Sequence, residues 1–136
     1  MNKRIVVVDD DLLLLKTIDI CLRKRGYDVN TFHNGADAVK HFFAQKPDLI
    51  MLDIRLPDCD GWFIAKLLEK LDWTQEVPLV VISVLEPDRR KVAETKPYAY
   101  IQKPFEMGQL VQTLVQTVEK GLTEGATLPS MIYSAS

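Results

Sequence analysis

Short unbroken apolar runs recur along this chain, each closed by acids, a hydroxyl or a lysine. Between them, apolar residues return every three or four positions. Ile5-Val6-Val7-Val8 runs into Asp9-Asp10-Asp11. Leu49-Ile50-Met51-Leu52 lies between Asp48 and Asp53, with Pro47 before and Pro57 after. Leu79-Val80-Val81-Ile82 ends at Ser83. Four residues are too few for a stable helix, and β-branched or unbranched apolar runs of this length suit strands buried on both faces. Tyr27, Val29 and Thr31 alternate with Asp28 and Asn30, which predicts a less buried strand. Tyr98 to Gln102 reads as a last strand before Lys103-Pro104-Phe105.

The intervening segments have helical spacing. Leu12 to Arg25 starts after Asp11 and stops at Gly26, with Leu14, Leu15, Ile18, Cys21 and Leu22 on one face; Leu12 and Leu13 widen that face and suggest cover on more than one side. Asn34-Gly35 is a turn signal, and the helix after it should point Val39, Phe42 and Phe43 inward. Leu56 to Gly61 is a loop. The third helix, from about Trp62 to Leu71, places Phe63, Leu67 and Leu71 on one face beside Ile64 and Leu68. Glu86 to Pro97 is mostly charged, so any helix there is short and weakly anchored. The last helix, from about Glu106 to Lys120, carries a stripe of Met107, Leu110, Val111, Leu114, Val115 and Val118. Residues 1–121 form the expected domain, and the small, polar stretch 122–136 reads as a tail or linker stub.

Five strands alternating with five helices imply an α/β fold, a doubly wound parallel sheet with helices on both faces. Composition agrees, since 136 residues with 47% apolar content can bury one core. A net charge of -2 without a basic stripe leaves no electrostatic footprint for nucleic acid. Cys21 and Cys59 form no CxxC or metal cluster and suit a reducing compartment. The amino end lacks the long apolar region of a signal peptide and no run is long enough to span a bilayer, which points to the cytoplasm.

The strand ends carry the chemistry. Asp9 and Asp10, Asp53, Ser83 and Lys103 all close strands, so a parallel sheet gathers them at one rim. Carboxylates brought close repel one another, and a hard divalent cation relieves that while leaving positions for phosphate oxygens. A lysine meets an incoming phosphoryl group and a serine hydroxyl donates to it. Phosphoryl transfer needs mainly positioning and charge neutralisation, with Asp53 as nucleophile giving an aspartyl phosphate. Individually these are ordinary caps, turn residues and surface cations; their order on successive strands is what the ordinary reading does not predict.

Ile5 to Asp11, Asn34-Gly35-Ala36-Asp37-Ala38, Pro47 through Gly61, Ser83 and Tyr100-Ile101-Gln102-Lys103-Pro104-Phe105 together resemble the receiver domain of two-component response regulators. The resemblance spans residues 3 to about 120. It implies a flavodoxin-like, five-stranded sheet of order 2-1-3-4-5. It implies phosphorylation of Asp53 by a histidine kinase or phosphotransfer protein. It implies Mg²⁺, with Mn²⁺ as a substitute, held by Asp10, Asp53, the backbone carbonyl of Arg55, and Asp9 through water. Ser83 and Lys103 would contact the phosphoryl group, and Lys103-Pro104 would be cis. Tyr100 would turn inward with Ser83 as a two-state switch; the plain alternative is a half-buried edge aromatic. The chain would be a signalling switch that catalyses its own phosphoryl transfer and hydrolysis, not a metabolic enzyme, and homodimerisation on phosphorylation is a family option.

Some positions depart from that pattern. The Ser83 to Lys103 interval is short, and Thr95-Lys96-Pro97-Tyr98-Ala99 replaces the usual Gly-Ala-Asp segment, so the fourth helix should be shortened or displaced. Val84 stands where a smaller residue is common and would crowd the phosphate. Arg55 is expected to modulate the lifetime of the aspartyl phosphate; the plain alternative is a solvent-facing arginine. The divergent Glu86–Pro97 segment motivates a second reading, a phosphorylation-independent interaction module on the same fold. A phosphohydrolase would want an acid where Arg55 stands, and a dinucleotide-binding domain would want a Gly-rich turn after the first strand.

Overall fold

The computed structural model describes residues 2–121 and 130–133. The chain alternates strand and helix in the order β1 (Arg4–Val8), α1 (Leu12–Lys24), β2 (Asp28–Phe32), α2 (Gly35–Ala44), β3 (Leu49–Asp53), α3 (Gly61–Leu68), β4 (Leu79–Ser83), α4 (Arg89–Thr95), β5 (Ala99–Gln102), α5 (Met107–Lys120) and β6 (Ser130–Tyr133). The strands pair in parallel in the order β2-β1-β3-β4-β5-β6. The expected order 2-1-3-4-5 is therefore observed, and β6 extends the sheet by pairing Ala99 to Gln102 with Ser130 to Tyr133. The rest of the expected tail, 122–129 and 134–136, lies outside the described residues.

Alternation along each strand splits the interior into two layers. Ile5, Val7, Leu49, Met51, Val80, Ile82, Ala99 and Ile101 face α1 and α5, where Leu14, Leu15, Ile18, Leu22, Leu110, Val111, Leu114 and Val118 meet them. Val6, Val8, Ile50 and Leu52 face the other way, onto Ala38 and Phe42 of α2 and Ile64, Ala65 and Leu68 of α3. Both faces being covered is why the strands are apolar without interruption. Ile54, Trp62, Val81 and Tyr100 form a smaller cluster near the carboxyl rim.

Side-chain oxygens cap the helices: Asp11 accepts from the amides of Leu13 and Leu14, Asn34 from Asp37, Asp88 from Arg90 and Lys91, and Glu106 from Gly108 and Gln109. Gly26 ends α1 with φ +92°, a conformation that costs glycine little. Lys103-Pro104 is cis. No helix among the described residues is long and apolar enough to cross a membrane.

Several inward assignments need correction. Phe43 and Phe63 are 58% and 59% exposed, while Phe42, Trp62, Ile64 and Ala65 take the inner face. Helices this short rotate to bury the best contiguous stripe, and size alone does not identify its members. Leu12 and Leu13 are 65% and 74% exposed, so α1 is covered on one side only. The expectation for the fourth helix matches the structure: α4 has no buried residue and ends at Lys96 in a left-handed turn before Pro97.

Candidate functional site

Three strand ends build the site. β1 delivers Asp9, whose amide donates to the Phe32 carbonyl at 3.0 Å. Asp9 Oδ1 accepts from the Asp11 amide at 2.9 Å, and Asp11 in turn caps α1, so helix start and acid run hold each other. β3 delivers Asp53; the next amide, Ile54, donates to Ile82 on β4 at 3.2 Å. The loop after β5 delivers Lys103, whose amide donates to the Ser83 carbonyl at 2.7 Å.

The Lys103 ammonium reaches both acids. It donates to Asp53 Oδ2 at 3.2 Å and forms an ion pair with Asp9 Oδ2 at 2.8 Å. Apart from that ion pair, Asp9 Oδ2 is a buried oxygen with no hydrogen-bond partner among the described residues. Burial pushes the Asp9 carboxyl up to about 6, and the Asp53 charge adds to that, while the Lys103 ammonium and the Asp11 amide oppose it. For Lys103, burial disfavours the charge, and the Asp9 and Asp53 carboxylates outweigh burial, so its pKa lies above the usual lysine value.

Asp10 is exposed, and its carboxylate completes a set with Asp9 and Asp53 in which one oxygen from each lies within 4.8 Å of the others. An underused buried oxygen, three hard oxygen donors and one exposed side fit a magnesium-type ion. Arg55 lies beside this set. Its amide donates to Asp53 Oδ1 at 3.1 Å, and its backbone bridges Asp60. That bridge uses the amides of Leu56 and Gly61, which leaves the Arg55 carbonyl out of it. The Arg55 side chain is exposed and forms no ion pair among the described residues.

Ser83 is fully buried at the end of β4, beside Gln102, and its hydroxyl accepts from the Leu85 amide at 3.1 Å. Tyr100 is only 1% exposed, its hydroxyl donates to the Leu85 carbonyl at 2.8 Å, and its ring stacks on Trp62 at 6.3 Å. Full burial replaces the half-buried aromatic that its strand position also allowed. Val84 is 55% exposed, so its side chain stands away from the interior.

Two residues with a hand in the site were not singled out from the sequence. Asp58 accepts from the Gly35 and Ala36 amides at 2.8 and 2.9 Å, which pins the loop after β3 to the start of α2 and holds the Asp58 carboxyl below its ordinary pKa. The signal available was a helix start in need of acceptors facing a loop with acids to spare. Gly61 starts α3 so close to β3 that a Cβ there would press on the Asp53 carbonyl oxygen and lie 2.7 Å from Ile54 Cα.

A family model for the response regulator receiver domain matches residues 5–115. The chain belongs to the response regulator receiver domain family. Solved structures agree on the fold. A CheY-like receiver domain protein from Methanospirillum hungatei JF-1 superposes with TM-score 0.80 at 22% identity, over 88% of this chain and 96% of that one. A BeF3-activated DrrB receiver domain gives TM-score 0.75 at 27% identity, over 88% and 99%. The receiver domain of a sensor histidine kinase from Pseudomonas aeruginosa PAO1, solved with a magnesium ion coordinated in its active site cleft, gives TM-score 0.74 at 26% identity, over 88% and 99%. The receiver domain described here is thus a two-component signalling module, and Asp9, Asp10 and Asp53 form an acidic cluster able to hold a metal ion.

Proposed function

We propose that this receiver domain accepts a phosphoryl group on Asp53 from a histidine kinase or phosphotransfer protein in the cytoplasm. The observation that carries the reading is the Lys103 ammonium held between the Asp9 and Asp53 carboxylates at a rim built by parallel strands. An Asp53 carboxylate oxygen attacks phosphorus, the bond to the donor breaks, and the donor leaves with its electron pair. Lys103 turns from the carboxylates to a phosphoryl oxygen, and the Ser83 hydroxyl donates to another. Asp10, Asp53 and the Arg55 carbonyl would hold Mg²⁺, with Asp9 acting through water. The ion supplies charge neutralisation to carboxylates and phosphoryl oxygens alike.

In this reading Ser83 and Tyr100 act as the switch. The support is that both engage Leu85, Ser83 through its amide and Tyr100 through its carbonyl. Drawing the Ser83 hydroxyl to a phosphoryl oxygen releases the Leu85 amide and shifts the turn that Tyr100 holds. Arg55 modulates the lifetime of the aspartyl phosphate; equal dephosphorylation rates for wild type and Arg55→Ala would remove that role.

The test of the whole reading is to add Mg²⁺ with a small phosphodonor or beryllofluoride and follow mass and Trp62 fluorescence. A phosphoryl mass gain with the phosphodonor that Asp53→Asn abolishes supports it. No response in the wild type would favour the phosphorylation-independent interaction module instead.

A further inference from the structure

A parallel sheet that stopped at β5 would leave a row of unpaired amides and carbonyls along Ala99–Gln102. That edge is occupied. Ser130–Tyr133 pairs with it in parallel, Ser130 beside Ala99, Met131 beside Tyr100, Ile132 beside Ile101 and Tyr133 beside Gln102. The chain path favours this partner. α5 returns the chain to the rim where the strands begin, as the bond from Lys3 Nζ to the Val118 carbonyl at 3.0 Å records. β6 then starts at that same rim, beside Ala99, so the crossover needs no reversal.

The other side of β5 leads to the β4–α4 turn. Gln102 pairs with Ser83, the Gln102 side-chain amide donates to the Val84 carbonyl at 3.4 Å, and the Tyr100 hydroxyl donates to the Leu85 carbonyl at 2.8 Å. α4 has no fully buried residue and lends only the half-buried Val92 to the cluster around Tyr100, so it adds little to hold that turn. β5 is therefore clasped between the turn and β6, and the strand residues that β6 pairs with are the ones that reach the turn.

We propose that the β5 edge is a strand-acceptor surface whose occupant is this chain's own Ser130–Tyr133 segment, and that this pairing steadies the Val84–Leu85 turn through β5. Two experiments on the full chain test it, and neither depends on phosphoryl chemistry. In a background with Cys21→Ala and Cys59→Ala, Gln102→Cys is combined with Tyr133→Cys and oxidised with copper phenanthroline; neighbouring parallel strands bring such Cα atoms within disulfide range. A disulfide within the monomer is expected. Persistent free thiols, or a disulfide-linked dimer, which would make a second copy the occupant, overturn the proposal. Separately, Met131→Pro combined with Ile132→Pro removes a ladder amide, since successive residues of an edge strand point their amides alternately toward and away from the neighbouring strand. Amide hydrogen exchange at Tyr100–Gln102 and at Leu85 should speed up at least tenfold while Val6–Val8 of β1 stay unchanged. Unaltered exchange at β5 overturns the proposal, and so does acceleration spread evenly over β1 and β5.

Discussion

Gly61→Ala probes the packing that aims Asp53. The Gly61 amide donates to the Ile54 carbonyl at 2.6 Å, and an added Cβ would lie 2.7 Å from Ile54 Cα and 3.0 Å from the Asp53 carbonyl carbon. Ordinary carbon contacts are about 3.5–4.0 Å, so α3 and the end of β3 must separate by about 1 Å. Every atom in the way is backbone, and no flexible side chain can swing aside. Overpacking of this kind costs about 1–3 kcal/mol. The better helix propensity of alanine returns part of that, at most about 1 kcal/mol. The net expectation is a loss of about 1–2 kcal/mol in urea unfolding at unchanged m value. Mg²⁺ affinity, followed by the fluorescence of the adjacent Trp62, should fall severalfold because the carboxylate moves with its strand. Gly26→Ala is the control. Its φ of +92° makes alanine costly, by about 1–2 kcal/mol, but no atom lies within 4 Å of the new Cβ. It should lose stability and keep its Mg²⁺ affinity. If Gly61→Ala binds Mg²⁺ as the wild type does, the idea that this contact positions Asp53 is refuted.

Lys103→Met strands two acids around a missing cation. The Lys103 side chain is 19% exposed, so the loss should fall somewhat below that of a fully buried pair, at about 2–4 kcal/mol. Added Mg²⁺ should then stabilise the variant more than the wild type in thermal unfolding; equal shifts would show that lysine and metal do not share these carboxylates. Tyr27 donates to Glu119 at 2.7 Å, and burial, with that acid, pushes its pKa up to about 12 from the ordinary 10.0. The folded state therefore keeps a proton that the unfolded chain releases. The resulting stability is whole below pH 10 and is lost as pH rises towards 12. Tyr27→Phe should flatten that alkaline decline, and an unchanged slope in pH-dependent unfolding would sink the assignment. Phe42→Ala should cost about 3–5 kcal/mol, whereas its exposed neighbour Phe43→Ala should stay within about 0.5 kcal/mol.

The parts of this molecule legible in the sequence are those written in long-range patterns. Runs such as Val6-Val7-Val8 can only be buried on both faces, and their acidic or basic ends fall on one rim once the sheet is parallel. Asp9, Asp10, Asp53 and Lys103 could therefore be grouped before any coordinates, and the structure does bring them together. What escaped was local phase and close approach. Phe42 and Phe43 differ by about 100° around a helix, and composition does not say which looks inward. The Gly61 contact is a matter of ångströms between backbones. The acids of the loop after β3 look alike, and only the fold shows Asp58 meeting the first amides of α2. β6 was hidden by its surroundings, since four strand-forming residues follow a stretch of Gly, Thr and Pro that reads as linker.

A helix such as α4, whose charged side chains all stay outside the interior, has an effect on how this molecule can diverge. Replacing Arg89, Arg90, Lys91 or Glu94 alters the charge and outline of one flank with little expense in folding free energy. The carboxylates and the lysine are anchored by other elements and stay where they are. The charge and outline of that flank can thus drift freely across descendants while the acidic rim stays constant.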